Sequence, residues 1–147
     1  MFEYKYFMVR NSNIIILEML EKNARTPFLK IAKRLKISET AVRKRVRRME
    51  EQGIIKKYTI EIDPRKIGYK IRALIGIDTK PEYLVNVTEK LEKNRKIRSL
   101  YLSQGDHMLL LECWFKTSKE MRTFVKALRK LRGVTRVCPA IILEKVK

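Results

Sequence analysis

The sequence of 147 residues holds one histidine, His107, two cysteines, Cys113 and Cys138, one tryptophan, five glycines and four prolines. With so little histidine, no G-x-S-x-G turn, no phosphate-binding glycine loop and no clustered carboxylates, no nucleophile can be paired with a base. The chain therefore reads as a non-enzyme with no catalytic residues and no cofactor. The cysteines lack C-x-x-C spacing and lie in apolar stretches, so both read as buried reduced thiols in a reducing compartment, with no metal site. Long apolar runs are missing too. The longest, residues 14–20, contains Glu18 and is too short to cross a bilayer, and residues 1–13 show no basic-then-apolar signal pattern. A cytoplasmic protein with no membrane partner is expected.

Acid is also scarce: 35 Lys and Arg stand against 16 Asp and Glu, a net charge of +19. An excess of that size implies a polyanionic partner, nucleic acid before an anionic membrane surface. A thermophile-type solvated surface would account for many charges but not for the imbalance. Residues 1–62 carry 15 basic and 7 acidic side chains and residues 63–147 carry 20 and 9, so charge alone does not say which half meets the polyanion.

Periodicity divides the chain into an N-terminal helical piece, residues 1–62, a linker at 63–70 marked by Pro64 and Gly68, and an α+β piece, residues 71–147. A first helix over about residues 13–22 would bury Ile14, Leu17, Met19 and Leu20. Thr26 before Pro27 has the form of an N-cap with proline at the first helical position, opening a second helix with Phe28, Ile31, Ala32 and Leu35 inward. Ser38 starts a third, in which Val42, Val46 and Met49 share one face and Gly53 marks the end. The alternation of Tyr58, Ile60 and Ile62 with Thr59 and Glu61 then has the period of a strand. Three short helices, two of them separated only by a tight turn, followed by a β-ribbon describe a winged helix-turn-helix.

The second piece reads strand, helix, strand, strand, helix, strand, the ferredoxin-like βαββαβ order, with Pro81 opening the first helix and Thr117 and Glu120 at capping-box spacing before the second. Two helices cover only one sheet face. The third strand is apolar on both sides, with Leu109, Leu111, Cys113 and Phe115 on one and Met108, Leu110 and Trp114 on the other, joined by Leu74 from the first strand. The uncovered face predicts a dimer formed by this domain.

The strongest chemical signal is Arg43-Lys44-Arg45-Val46-Arg47-Arg48 on the third helix. A rotation of about 100° per residue from the buried stripe sends Thr40, Lys44, Arg47 and Arg48 to the far side and Arg43 to a flank. A solvated helix face is the plain alternative, but few acids precede Glu50 and Glu51 to neutralise it. Arg43 and Arg47 have the fork geometry for guanine edges, whereas Lys44, Arg48, Lys56 and Lys57 suit phosphates. Ser38 and Thr40, at the start of the helix, complete the candidate DNA-contact set.

Asn23-Ala24-Arg25, Ile31-Ala32-Lys33-Arg34-Leu35, Ile37-Ser38-Glu39-Thr40-Ala41-Val42, Arg45-Val46, Met49-Glu50, Gly53-Ile54-Ile55, Tyr58-Thr59 and Asp63-Pro64 through Gly68-Tyr69 together resemble the leucine-responsive regulatory protein and asparagine regulator (Lrp/AsnC) family of transcription regulators. The resemblance runs over nearly the whole chain, and the basic composition is similar to archaeal members. It implies a dimer or octamer on double-stranded promoter DNA with an amino acid as effector. Two positions depart from the family: Asn11-Ser12-Asn13 stand where aspartates usually precede the first helix, leaving Asn and Ser to cap it, and Lys36 occupies a turn position that is often glycine.

The resemblance also implies an effector site at the turn Ser103-Gln104-Gly105-Asp106-His107-Met108, with Ser103, Gly105, Asp106 and His107 as candidate contacts. Met108 replaces an acid common there, and Gly105-Asp106 is equally a plain hairpin turn, with His107 then a strand-start residue. Two alternatives compete with a sequence-specific regulator. One is a protein that coats DNA without sequence preference. The other is an RNA-binding protein, against which the third strand lacks the aromatic pattern of an RNA-recognition motif.

Overall fold

A computed structural model describes residues 11–146, and the reading of the first residues as free of a signal segment falls mostly outside them. The described residues form two compact units, divided between Glu61 and Ile62. No helix of the described residues is long and apolar enough to cross a membrane.

The first unit holds α1 (Asn11–Lys22), α2 (Phe28–Leu35) and α3 (Glu39–Glu51) around a core of Ile16, Leu20, Ile31, Ala32, Val42, Val46 and Met49. Leu17, Met19 and Leu20 pack on this core as expected, but the fourth expected residue, Ile14, is 42% exposed and Ile16 is buried in its place. In the unbroken apolar run 14–17, spacing alone does not single out the inward residue, and α1 begins at Asn11. Asn11, Ser12 and Asn13 therefore lie inside its first turn instead of capping it, and Ser12 accepts a 2.6 Å hydrogen bond from Arg45 on α3. Thr26 does not cap α2 either: its hydroxyl donates to the carbonyl of Asn23 at 2.7 Å, and Pro27, still extended, precedes the first helical residue.

Lys36 ends α2 in the left-handed region (φ 53°), which lets the Ile37 N–H reach the Ala32 carbonyl at 3.1 Å and turns the chain toward α3. A non-glycine residue there carries strain of about 1 kcal/mol. Ser38 caps α3 as expected, accepting from the Ala41 N–H at 3.1 Å. Gly53 (φ 68°) closes it, and the Ile54 N–H returns to the Met49 carbonyl. Residues 58–62 form no strand. Alternation creates a strand only where a neighbour supplies ladder bonds, the sheet consists of other segments, and Ile60 is 77% exposed.

In the second unit β1 (Ile71–Thr79), α4 (Leu84–Glu92), β2 (Ile97–Leu102), β3 (Leu109–Phe115), α5 (Ser118–Arg129) and β4 (Val134–Ile142) build an antiparallel sheet of order β2-β3-β1-β4. This is the anticipated βαββαβ arrangement. Ala73, Ile75 and Ile77 of β1 and Leu109, Leu111, Cys113 and Phe115 of β3 meet Val87, Leu91, Phe124, Val125 and Leu128 from the helices. Thr117 caps α5 by accepting from the Glu120 N–H at 3.1 Å, while Glu120 accepts from the N–H of Lys116, one residue earlier than a capping box requires. The segment expected as a linker is ordered against this unit: Asp63 caps a 3₁₀ turn (Pro64–Ile67), Arg65 donates to the Leu143 carbonyl at 2.7 Å, and Tyr69 meets Trp114 edge-on.

The cysteines part company. Cys113 is buried on the helix-covered face, where burial and then the neighbouring Glu112 push its thiol up to about 12, so it stays protonated. Cys138 is exposed, against expectation, because β4 is an edge strand whose residue 138 pairs with Gly76 on the face without helices.

Candidate functional site

The expected DNA-contact residues are all exposed. Thr40, Lys44, Arg47 and Arg48 lie on the side of α3 away from Val42, Val46 and Met49, with Arg43 on a flank, Ser38 at the N-cap, and Lys56 and Lys57 beyond the helix. Arg45, the remaining cation of the run and outside the expected set, is half-buried and bonded to Ser12. Two acids reach this face after all. Glu39 holds Arg43 at 2.8 Å and Glu51 holds Arg47 at 3.0 Å, each one helical turn away, and the Arg43 guanidinium stands 5.3 Å from the centre of the Phe28 ring. With 65% and 80% of their side-chain surface in water, Arg43 and Arg47 gain only about 0.3–0.5 kcal/mol from such pairs, against about 1–3 kcal/mol for a bidentate contact to a base. The pairs orient the guanidiniums without locking them. Lys44 and Arg48 have no acidic partner among the described residues.

Tyr58 donates to Glu50 at 2.6 Å, and partial burial followed by that carboxylate pushes its hydroxyl up to about 12. This bond anchors the chain leaving α3, and with it Lys56 and Lys57.

The expected effector residues lie together at the turn before β3. Ser103 donates its hydroxyl to the His107 carbonyl and its N–H to the Met108 carbonyl at 2.9 Å, closing the loop, and Gly105 (φ 134°) takes a backbone shape that other residues rarely adopt. Asp106 turns back on the sheet instead of out to a ligand. Its carboxylate meets Arg136 at 2.7 Å and His107 Nε2 at 3.2 Å. Asp78 completes the knot, meeting Arg136 at 2.7 Å and His107 Nδ1 at 3.1 Å and accepting from the Met108 N–H at 3.1 Å.

Asp78, Arg136 and Gly76 were absent from the sequence reading. Asp78 and Arg136 are cross-strand partners on β1 and β4, and a charged residue interrupting the apolar alternation of each strand was the available signal. Gly76 is the floor of the knot: a Cβ there would stand 2.1 Å from the His107 ring. Burial raises the Asp78 carboxyl, but the Met108 N–H, His107 and Arg136 outweigh it and hold it below the ordinary carboxylate range. Arg136 does the same to Asp106, and Asp106 in turn raises Arg136.

The sheet face away from the helices carries Leu74, Leu110 and Trp114, as anticipated, yet it is not uniformly apolar. An Arg72–Glu112 pair at 2.8 Å crosses it, Glu112 accepts from the Trp114 indole at 3.1 Å, and Arg98 lies over that ring at 4.6 Å. Met108 precedes β3, its sulfur 3.9 Å from the Thr79 hydroxyl. No group of three or more His, Cys, Asp or Glu among the described residues could hold a metal.

Comparison with known proteins covers both units. A family model described as winged helix-turn-helix DNA-binding matches residues 11–56, and one described as the Lrp/AsnC ligand binding domain matches residues 72–147. The HTH-type transcriptional regulator LrpA of Pyrococcus horikoshii is 52% identical over 141 residues, 95% of this chain and 100% of that one. The HTH-type transcriptional regulator LysM of Saccharolobus solfataricus is 34% identical over 137 residues, 92% of this chain and 94% of that one. Among solved structures, Escherichia coli AsnC superposes with a TM-score of 0.83 at 23% identity, covering 96% of each chain. A Neisseria meningitidis transcriptional regulator in complex with L-Met gives 0.85 at 20% identity, covering 95% of this chain and 92% of that one.

Proposed function

The chain belongs to the Lrp/AsnC family of DNA-binding transcription regulators, and from that premise we propose that it reads promoter DNA with α3 in the major groove. Its relatives are regulators and not enzymes, and the family's domains carry DNA and ligand binding. The observation that carries the finer reading is the exposed face of α3, where cations stand opposite the buried stripe with only weak local pairs to hold them. In this reading Arg43 and Arg47 contact guanine edges. Lys44, Arg48, Lys56 and Lys57 contact phosphates, and Ser38 and Thr40 donate hydroxyls where α3 enters the groove. Such a protein works in the cytoplasm, beside the DNA.

The face with Leu74, Leu110 and Trp114 supports a dimer, since large apolar side chains half-open to water gain by covering one another. Paired dimers would then build the octamer. An amino-acid effector at residues 103–107 draws support from the ligand-binding family model and from the L-Met bound by the Neisseria relative. Backbone N–H groups beside Gly105 suit its carboxylate. Its ammonium must win Asp106 from Arg136, and Met108 offers no second acid, so selectivity weaker than that of relatives with the acid is expected.

The test is footprinting of the full chain over its own promoter. Discrete protected sites with half-sites related by a two-fold axis are expected. Uniform protection without preferred sites would overturn the sequence-specific reading in favour of a DNA-coating protein.

A further inference from the structure

Both helices of the second unit lie on the same face of the sheet, but their outer surfaces differ in charge. On and just beyond α4, Glu89 and Glu92 alternate with Lys90 and Lys93, a mixed and nearly neutral surface. On and just beyond α5, Lys119, Arg122, Lys126, Arg129 and Lys130 are all exposed. At about 100° per residue these five fall within a single arc of about 100°, opposite the buried Phe124, Val125 and Leu128. The one acid of α5, Glu120, is turned to Lys96 at 3.1 Å and to the Lys116 N–H, and no acid among the described residues pairs with the five. A general enrichment in charge would give both helices the mixed pattern of α4. It does not explain why one is neutral and the other all cationic.

We propose that this stripe on α5 is a second DNA-contact surface, binding the phosphate backbone of duplex DNA without reading bases. The proposal rests on the chain being a DNA-binding regulator and adds a contact made by the regulatory half. Residues 119–130 rise about 16 Å along the helix, roughly five phosphate steps on one DNA strand. Single-stranded nucleic acid would call for aromatic platforms among the cations, and the stripe has none. An anionic membrane would call for large apolar side chains free to insert, and those of α5, Met121, Phe124, Val125 and Leu128, are packed in the core.

The experiment compares the full chain with the variant Lys119→Gln, Arg122→Gln, Lys126→Gln, Lys130→Gln, reading binding to a mixed-sequence duplex as a function of salt. Each phosphate contact contributes a slope of about 0.9 in log K against log salt, so the variant should lose about 2 to 4 units of slope. The double variant Lys126→Gln, Lys130→Gln should lose about half as much, which guards against a folding defect in the quadruple change. A control, Lys90→Gln on α4 with Lys93→Gln just beyond it, should leave the slope unaltered. An unchanged slope in the stripe variant, or an equal loss per charge in the control, overturns the proposal. So does binding to anionic vesicles that the variant loses while its DNA slope stays intact. If the wild-type chain binds no duplex at all, the DNA-binding reading itself fails. If Arg43→Ala weakens binding while the stripe variant matches wild type, only the present proposal fails.

Discussion

Arg43 and Arg47 on α3 each lean on one acid in open solvent, whereas Arg136 on β4 is gripped by two carboxylates at 2.7 Å, beside an imidazole that is only 12% exposed. All three arginines are ion-paired, so the presence of a pair does not separate a binding group from a structural one. What separates them is the cost of letting go. A pair on an exposed helix is nearly free to exchange glutamate for phosphate or guanine. The knot at the turn would leave Asp78, partly buried, without its cation. On the proposed reading DNA would recruit α3 without refolding anything, while a ligand at the turn would have to rearrange a finished network. An effector at the proposed site would then have a physical route to influence, because occupying the turn would change how β1, β4 and the turn are tied together.

The comparison can be attacked first at the floor of the knot. Gly76→Ala drives a methyl into the His107 ring and should destabilise the second unit by about 1–3 kcal/mol, read as a lowered unfolding midpoint. Retention of wild-type stability would mean that His107 moves aside easily and that the knot is as loose as the α3 pairs. On the other side, Lys36→Gly relieves a left-handed lysine and should stabilise the first unit by about 1 kcal/mol, with DNA affinity little changed. A loss of stability there would show that Lys36 is held by something other than its backbone.

Acid sharpens the contrast further. Asp78 and Asp106 sit below the ordinary carboxylate range when folded, so their contribution is complete above about pH 4, the unfolded value, and is lost as pH falls through the lower folded values. Stability of the second unit, followed by urea midpoints, should therefore decline from about pH 4 downward. Asp78→Asn should flatten that decline, and an identical acid profile in the variant would contradict the network.

How much of this was legible in the sequence depends on whether neighbours in the chain or partners in space decide the outcome. The 3.6-residue spacing of Val42, Val46 and Met49 and the alternation through Ile71, Ala73, Ile75 and Ile77 are local, and both set the observed buried faces. The ribbon over residues 58–62 failed because a strand depends on a partner that periodicity does not supply. Ile16 was missed in favour of Ile14 because residues 14–17 are an unbroken apolar run, in which spacing does not mark the inward residue. At the turn, Ser103, Gly105, Asp106 and His107 could be found as a contiguous segment, but Asp78 and Arg136 join them only through sheet register, 28 and 30 residues from Asp106. Cys138 was misread for the same reason, since apolar neighbours in sequence do not reveal which sheet face is covered.

The claim on which the rest depends is that the cations of α3 read DNA sequence. It is tested most directly by measuring the affinity of full-length wild type and Arg43→Ala for a footprinted site and for a mixed-sequence duplex, with Lys56→Ala as the phosphate-contact comparison. The account predicts that Arg43→Ala loses about 1–3 kcal/mol at the site and much less on mixed sequence, while Lys56→Ala weakens both alike and lowers the salt slope by about one unit. Unchanged affinity and discrimination in Arg43→Ala would contradict it.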